Sequence, residues 1–94
     1  KKLSIIELWV KLPLTWFVYI LKCGDNSLYT GITNNLESRV LAHQEGRGAK
    51  YTKGRGPFKV LYEIKCQSRR EATVKELKIK RLSLSKKLEL ISKV

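Results

Sequence analysis

Several things are scarce in this 94-residue chain: it has one histidine, two cysteines, two prolines and only eight acidic residues. Cys23 and Cys66 do not form a CxxC pair, and with His43 as the sole histidine they cannot complete a four-ligand zinc site. Both fall in apolar, strand-like stretches and read as buried thiols in a reducing compartment, a disulfide between them being the alternative. No apolar run approaches the ~20 residues of a membrane span. The nearest, residues 5–14, is interrupted by Glu7 and Lys11 and broken by Pro13, and it lacks the small-residue cleavage site of a signal peptide. A GxxxxGK[ST] loop and a strand-GxGxxG-helix unit are both absent, which removes the common nucleotide-phosphate cradles. There is no internal repeat, no sustained heptad and no RNP aromatic pattern.

What is abundant is positive charge. Twenty Lys/Arg against eight Asp/Glu give a formal net charge of +12. The excess is uneven: residues 1–49 hold six basic and four acidic residues, residues 50–94 fourteen and four. Clustered charge of this size points to a polyanionic partner, nucleic acid first, with DNA expected over RNA. The length allows one domain with a modest core, and an apolar content of 43% with eight aromatic rings argues against disorder. Residues 1–15 read as a leader or loosely packed arm, and 16–94 as a single domain with a cytoplasmic location and a monomeric state.

Residues 16–23 (WFVYILKC) are aromatic and β-branched, with apolar side chains on both faces, so the strand they form should be central. Gly24-Asp25-Asn26 is a turn, and residues 27–33 (SLYTGIT) return. An odd, three-residue loop places Tyr19 and Tyr29 on one face of the hairpin. Asn34 can cap a helix over 35–45, with Glu37 completing a capping box, Leu36 and Val40 marking the buried stripe, and Gly46 as the stop. Arg39 and His43 lie one turn apart beside that stripe. Residues 46–57 (GRGAKYTKGRGP) form a basic, glycine-rich loop with one helical turn around 50–52. A third strand over 58–66, a Ser68-capped helix over 69–81 and a last helix over 84–93, with Leu84, Leu88 and Ile91 at helical spacing, complete the chain. The expected architecture is α+β: a small three-stranded, mainly antiparallel sheet flanked by helices, β-β-α-β-α-α.

Five polar residues then stand in a telling order: Tyr19, Tyr29, Arg39, His43 and Glu76. Arg39 offers a planar donor fork suited to two phosphate oxygens. Glu76 lies four residues after Ala72 and three before Ile79, on an inward helix stripe where an unpaired carboxylate is costly. A metal ion, or an ion pair with Lys75, Lys80 or Arg39, would answer that cost. Each residue also has a plainer reading: strand tyrosines pack, helix arginines are solvated and a lone histidine is structural. In the loop, Arg47, Lys50, Lys53 and Arg55 surround Tyr51, a pattern suited to phosphate contacts plus stacking on an exposed base, or to a solvated loop.

The stretches Phe17-Val18-Tyr19 and Tyr29-Thr30-Gly31, the segment 30–46 with Arg39 and His43, and Glu76 within KELK resemble the GIY-YIG nuclease superfamily, closest to its small stand-alone bacterial members. The likeness covers residues 16–82. It implies a metal-dependent endonuclease with Tyr19, Tyr29, Arg39, His43 and Glu76 as catalytic residues and a single Mg²⁺ or Mn²⁺ ion on Glu76. Tyr29 is then expected to be the base or water-orienting group, Tyr19 to hold the water or a phosphate oxygen, and His43 to activate Tyr29 or donate to the phosphate. Against the family pattern, Phe17 replaces a glycine, Thr30 an isoleucine, Ile32 stands where repair-type members often carry lysine, and Leu88 occupies the zone of an asparagine. A non-catalytic nucleic-acid-binding module, and a basic RNA-binding protein, remain the alternative readings.

Overall fold

The structure, a computed structural model, describes residues 15–93. The arm expected over residues 1–15 lies outside them except for Thr15. The elements run β1 (Trp16–Lys22), β2 (Leu28–Thr33), α1 (Leu36–Gln44), a 3-10 turn (Lys50–Thr52), β3 (Lys59–Cys66), α2 (Arg69–Lys80) and α3 (Leu84–Ser92). The sheet order is β2-β1-β3 and both pairings are antiparallel. This is the α+β arrangement expected from the sequence. Strand β1 is central because both its faces are apolar, and Val18, Tyr19, Ile20 and Leu21 are all fully buried.

The hairpin between β1 and β2 sets the geometry of everything that follows. The Asn26 amide donates to the Cys23 carbonyl at 2.9 Å, and the Cys23 amide donates to the Ser27 carbonyl at 2.8 Å. Asn26 takes the left-handed conformation (φ 69°) that ends such a three-residue loop. The Asp25 carboxylate accepts from the Ser27 amide at 3.0 Å and pins the turn. The resulting register pairs Tyr19 with Gly31 and Leu21 with Tyr29. Tyr19 and Tyr29 are therefore diagonal neighbours on one face.

The opposite face carries the main core. Val18 and Ile20 pack with Tyr62, Cys66, Ala72 and Ile79, and Trp16, Leu28, Ile32, Ile64, Leu90 and Ile91 close around them. Helix α2 lies across all three strands, its start capped as expected by Ser68, whose hydroxyl accepts from the Glu71 amide at 3.1 Å. Cys23 and Cys66 are both free and buried.

Two expectations about helix α1 need correction. Helix α1 is capped by Asn35, not Asn34: its side chain accepts from the Ser38 amide at 3.0 Å. The Thr33 hydroxyl accepts from the Asn35 amide at 3.1 Å and so fixes Asn35 as the last extended residue; Glu37 then falls one position short of a capping box. The stripe of α1 that is buried is Ala42 and His43, with Leu36 and Val40 only half-buried. In α3, Leu84 and Leu88 are 62% and 50% exposed, while Leu90 and Ile91 reach the core. Only Arg81, Leu82 and Ser83 separate α2 from α3. That short turn sets which flank of α3 meets the sheet.

Candidate active site

Tyr19 begins the site because its ring needs the position opposite it on β2 to carry no side chain. Its ring crosses Gly31, where a Cβ would stand 2.6 Å from the Tyr19 hydroxyl. A glycine at 31 is thus what lets the phenol lie flat against β2. The hydroxyl meets His43 Nε2 at 2.8 Å. His43 Nδ1 lies 2.8 Å from Thr52 Oγ1, and that hydroxyl donates to the Ala49 carbonyl at 2.9 Å. Gly48 passes against the imidazole, and a Cβ there would collide with Nδ1.

With the Thr52 hydroxyl hydrogen on the Ala49 carbonyl, one arrangement of protons satisfies the whole line. Thr52 has one hydroxyl hydrogen and gives it to Ala49, so toward His43 it can only accept. Nδ1 therefore carries the imidazole proton, Nε2 presents its lone pair, and the Tyr19 hydroxyl donates to it. The imidazole is neutral: burial, with Arg39 adding to it, pushes its pKa down from 6.5 to about 4. Tyr19 is held as the phenol, its pKa pushed up to about 12 by burial, with Arg39 acting against that rise and Tyr29 and Glu76 reinforcing it. Arg39 stands beside both phenols, and its pKa is raised first by Tyr19 and more weakly by Tyr29.

Around this line the rings form a cluster. Tyr29 sits 6.3 Å from Tyr19, 5.4 Å edge-on from His43 and 5.9 Å from Tyr51, on which it stacks. Phe58 closes the far side of His43 at 6.0 Å. Among the described residues His43 hydrogen-bonds Tyr19 and meets Tyr29 ring edge to ring, Gly31 and Gly48 leaving room for the Tyr19 phenol and the imidazole.

Glu76 sits on the inward stripe of α2, between Ala72 and Ile79, with 17% of its side chain exposed. It pairs with Lys80 Nζ at 3.3 Å and contributes negative potential at the Tyr19 hydroxyl. Among the described residues no three His, Cys, Asp or Glu side chains converge, so a closed transition-metal site does not fit. One carboxylate near phenol oxygens does fit a hard cation that keeps most of its water.

The basic loop is less free than its composition implies. Arg47 pairs with Glu45. Arg55 bonds Asp25 at 2.6 Å, donates from Nε to the Tyr51 carbonyl at 2.7 Å and lies 4.4 Å over the Tyr51 ring. Asp25 is held down to about 2 by the Ser27 hydrogen bonds first and Arg55 second. The Gly24 amide donates to the Arg55 carbonyl at 2.5 Å. Of the five residues expected to contact nucleic acid, Arg47, Tyr51 and Arg55 are thus engaged locally. Lys50 and Lys53 are exposed without an ion pair among the described residues. Thr52, Gly48 and Phe58 were not anticipated as site residues. No local pattern marks them, since their roles exist only where the loop meets α1.

The chain belongs to the GIY-YIG family: the GIY-YIG catalytic domain matches residues 15–89. That family gives the fold a nuclease-type site, and its nucleases are generally metal-dependent. A UPF0213 protein of Clostridium perfringens is 58% identical over 76 residues, covering 81% of this chain and 82% of the relative. A UPF0213 protein of Oceanobacillus iheyensis is 57% identical over 75 residues, covering 80% and 87%. The solution NMR structure of the UPF0213 protein BH0048 from Bacillus halodurans superimposes with a TM-score of 0.55 at 45% identity, covering 83% of each chain. Among the described residues no helix is long and apolar enough to cross a membrane.

Proposed function

We propose that this chain is a metal-dependent endonuclease that hydrolyses phosphodiester bonds in DNA with little sequence specificity, and that it prefers branched, single-stranded or damaged substrates of the kind met in repair. The observation that carries the reading is the directed hydrogen-bond line Tyr19–His43–Thr52–Ala49, with Arg39 beside it. A packing tyrosine needs any partner for its hydroxyl; this one has a neutral imidazole whose free lone pair points at it.

The chemistry follows from that direction. Tyr19 takes a proton from the attacking water at its hydroxyl oxygen as its own proton passes to His43 Nε2; the water oxygen bonds to phosphorus while the bond to the leaving oxygen breaks, and that oxygen takes a proton from solvent water. The imidazolium so formed, which burial and Arg39 disfavour in the free chain, keeps its Nδ1–H on Thr52, and the negative charge of a bound phosphate would offset Arg39. Tyr19, rather than Tyr29, is therefore the base in this reading. Tyr29 orients the water or a phosphate oxygen, and the Arg39 fork holds the non-bridging oxygens. Glu76 would hold Mg²⁺ or Mn²⁺, which supplies Lewis acidity and charge neutralisation at the phosphate when bound. A net charge of +12 makes affinity for the strand strongly salt-dependent.

A second reading, a binding module without cleavage, is favoured by the Glu76–Lys80 ion pair and by Ile32 where related sites place lysine. One assay separates the two. Duplex, single-stranded and branched DNA are incubated with Mg²⁺ or Mn²⁺ and either the native chain or Glu76→Ala. Metal-dependent cutting that Glu76→Ala removes while binding persists supports the nuclease. Binding without cutting by both proteins supports the module, and equal cutting on plain and branched duplex removes the structural preference.

A further inference from the structure

The strongest unassigned feature lies at the turn end of the sheet. Lys22 ends β1 and Lys59 begins β3, and the register pairs them directly. Side chains at directly paired positions share a face, with Cβ atoms about 5 Å apart, and like charges there repel. Both lysines are exposed, and neither has an ion-pair partner among the described residues. Both line a cavity of about 250 Å³, shared with Gly24, Asn26, Pro57 and Phe58. The one carboxylate on the turn, Asp25, is already held by Arg55 and Ser27.

Phe58 ties this cavity to the site. It forms one wall of the cavity and also packs against His43. Arg47 and Arg55, the arginines of the basic loop, are meanwhile occupied by Glu45 and Asp25. We infer that the Lys22/Lys59 cavity binds a phosphate group of the nucleic-acid backbone at the turn end of the sheet, separated from His43 by Phe58. An anion between the two ammonium groups relieves their repulsion, and the two cations together give a phosphate a better-defined position than either alone. The inference rests on the nuclease reading for the identity of the strand but not for the existence of the anion site.

The test uses the full chain without metal, so that nothing is cut. ¹⁵N spectra are followed while a short single-stranded oligonucleotide, and separately inorganic phosphate, is titrated in. The expected result is saturable shifts at the Lys22, Gly24, Asn26 and Lys59 amides with both probes, lost in Lys22→Gln/Lys59→Gln and kept in Lys86→Gln/Lys87→Gln. Neutralising both lysines should also reduce the slope of log affinity against log salt by about 0.7, the share of the one phosphate they hold on a single strand. Shifts confined to Lys50, Lys53 or the helices, or an unchanged slope, would overturn the proposal. Shifts with phosphate but not with the oligonucleotide would overturn the assignment to a strand. The cleavage assay fails separately: cutting with unaltered KM in Lys22→Gln/Lys59→Gln removes this site and leaves the nuclease, whereas anion binding in a chain that never cuts removes the nuclease and leaves the site.

Discussion

Thr52→Val is the sharpest perturbation of the catalytic line. Valine matches threonine in shape, so the fully buried position is refilled and only the hydroxyl disappears. Two consequences follow from the geometry. The buried His43 Nδ1–H loses its acceptor at 2.8 Å, and the Ala49 carbonyl loses its donor at 2.9 Å. Leaving a buried donor unsatisfied costs about 1–3 kcal/mol. For a domain of this size that lowers Tm by roughly 5–20 °C. The effect on rate is separable. In the proposed mechanism the imidazole becomes a cation as Tyr19 transfers its proton, and a hydrogen bond to a charged group is worth about 1.5–3 kcal/mol. Its loss slows the chemical step about 10- to 150-fold with KM little changed. The variant also frees the imidazole to move its proton to Nε2, which reverses the bond to Tyr19. Imidazole ¹⁵N shifts report the tautomer, and cleavage kinetics report the rate. Thr52→Ser, which keeps the hydroxyl, should restore both. An Nδ1–H tautomer that survives in Thr52→Val, together with kcat within about twofold of native, would refute the directed line, since two-fold is well below one hydrogen bond.

Three further outcomes are expected. The folded pKa of His43, about 4, lies below its usual 6.5, so protons bind the unfolded chain more readily. The neutral-histidine contribution to stability is complete above pH 6.5 and is lost as pH falls toward 4; denaturant titrations across that window check it, and His43→Gln should flatten the dependence. Gly31→Ala drives a methyl into the Tyr19 hydroxyl and ring carbon at 2.6 and 2.8 Å. The expected cost is about 1–3 kcal/mol of stability with loss of the Tyr19–His43 bond, read by thermal melts and by the phenol titration. In Glu76→Ala the i,i+4 ion pair with Lys80, whose own side chain is half exposed, is lost at a cost of about 1 kcal/mol or less, so Tm should fall by only a few degrees while metal-dependent cutting disappears.

Much of this could be read along the chain. Strand β1 is apolar on both faces and so had to be central, and a three-residue turn with an αL residue at Asn26 puts Tyr19 and Tyr29 on one face whatever packs around them. Helical spacing turns Glu76 inward beside Ala72 and Ile79 for the same local reason. The cap of α1 shifted by one residue because Asn34 and Asn35 are both competent caps, and only the Thr33 hydroxyl distinguishes them. In α3 periodicity defines apolar stripes without saying which meets the core, and it is Leu90 and Ile91 that do.

The chemistry-bearing details depended on contacts between segments far apart in sequence. Nothing local chooses between the two tyrosines as partner of His43. That choice was made by Gly31 and Gly48, whose missing side chains admit the Tyr19 phenol and the imidazole. Nothing in residues 46–57 marks Thr52 as the group that fixes the tautomer, or Arg55 as neutralised by Asp25 thirty positions away. Dihedral preference, side-chain period and loop length act between near neighbours, so they could place residues on faces. Burial, proton direction and charge pairing arise only when those faces close on one another, so tertiary structure alone decided which phenol holds the proton line and which cations stay free for a phosphate.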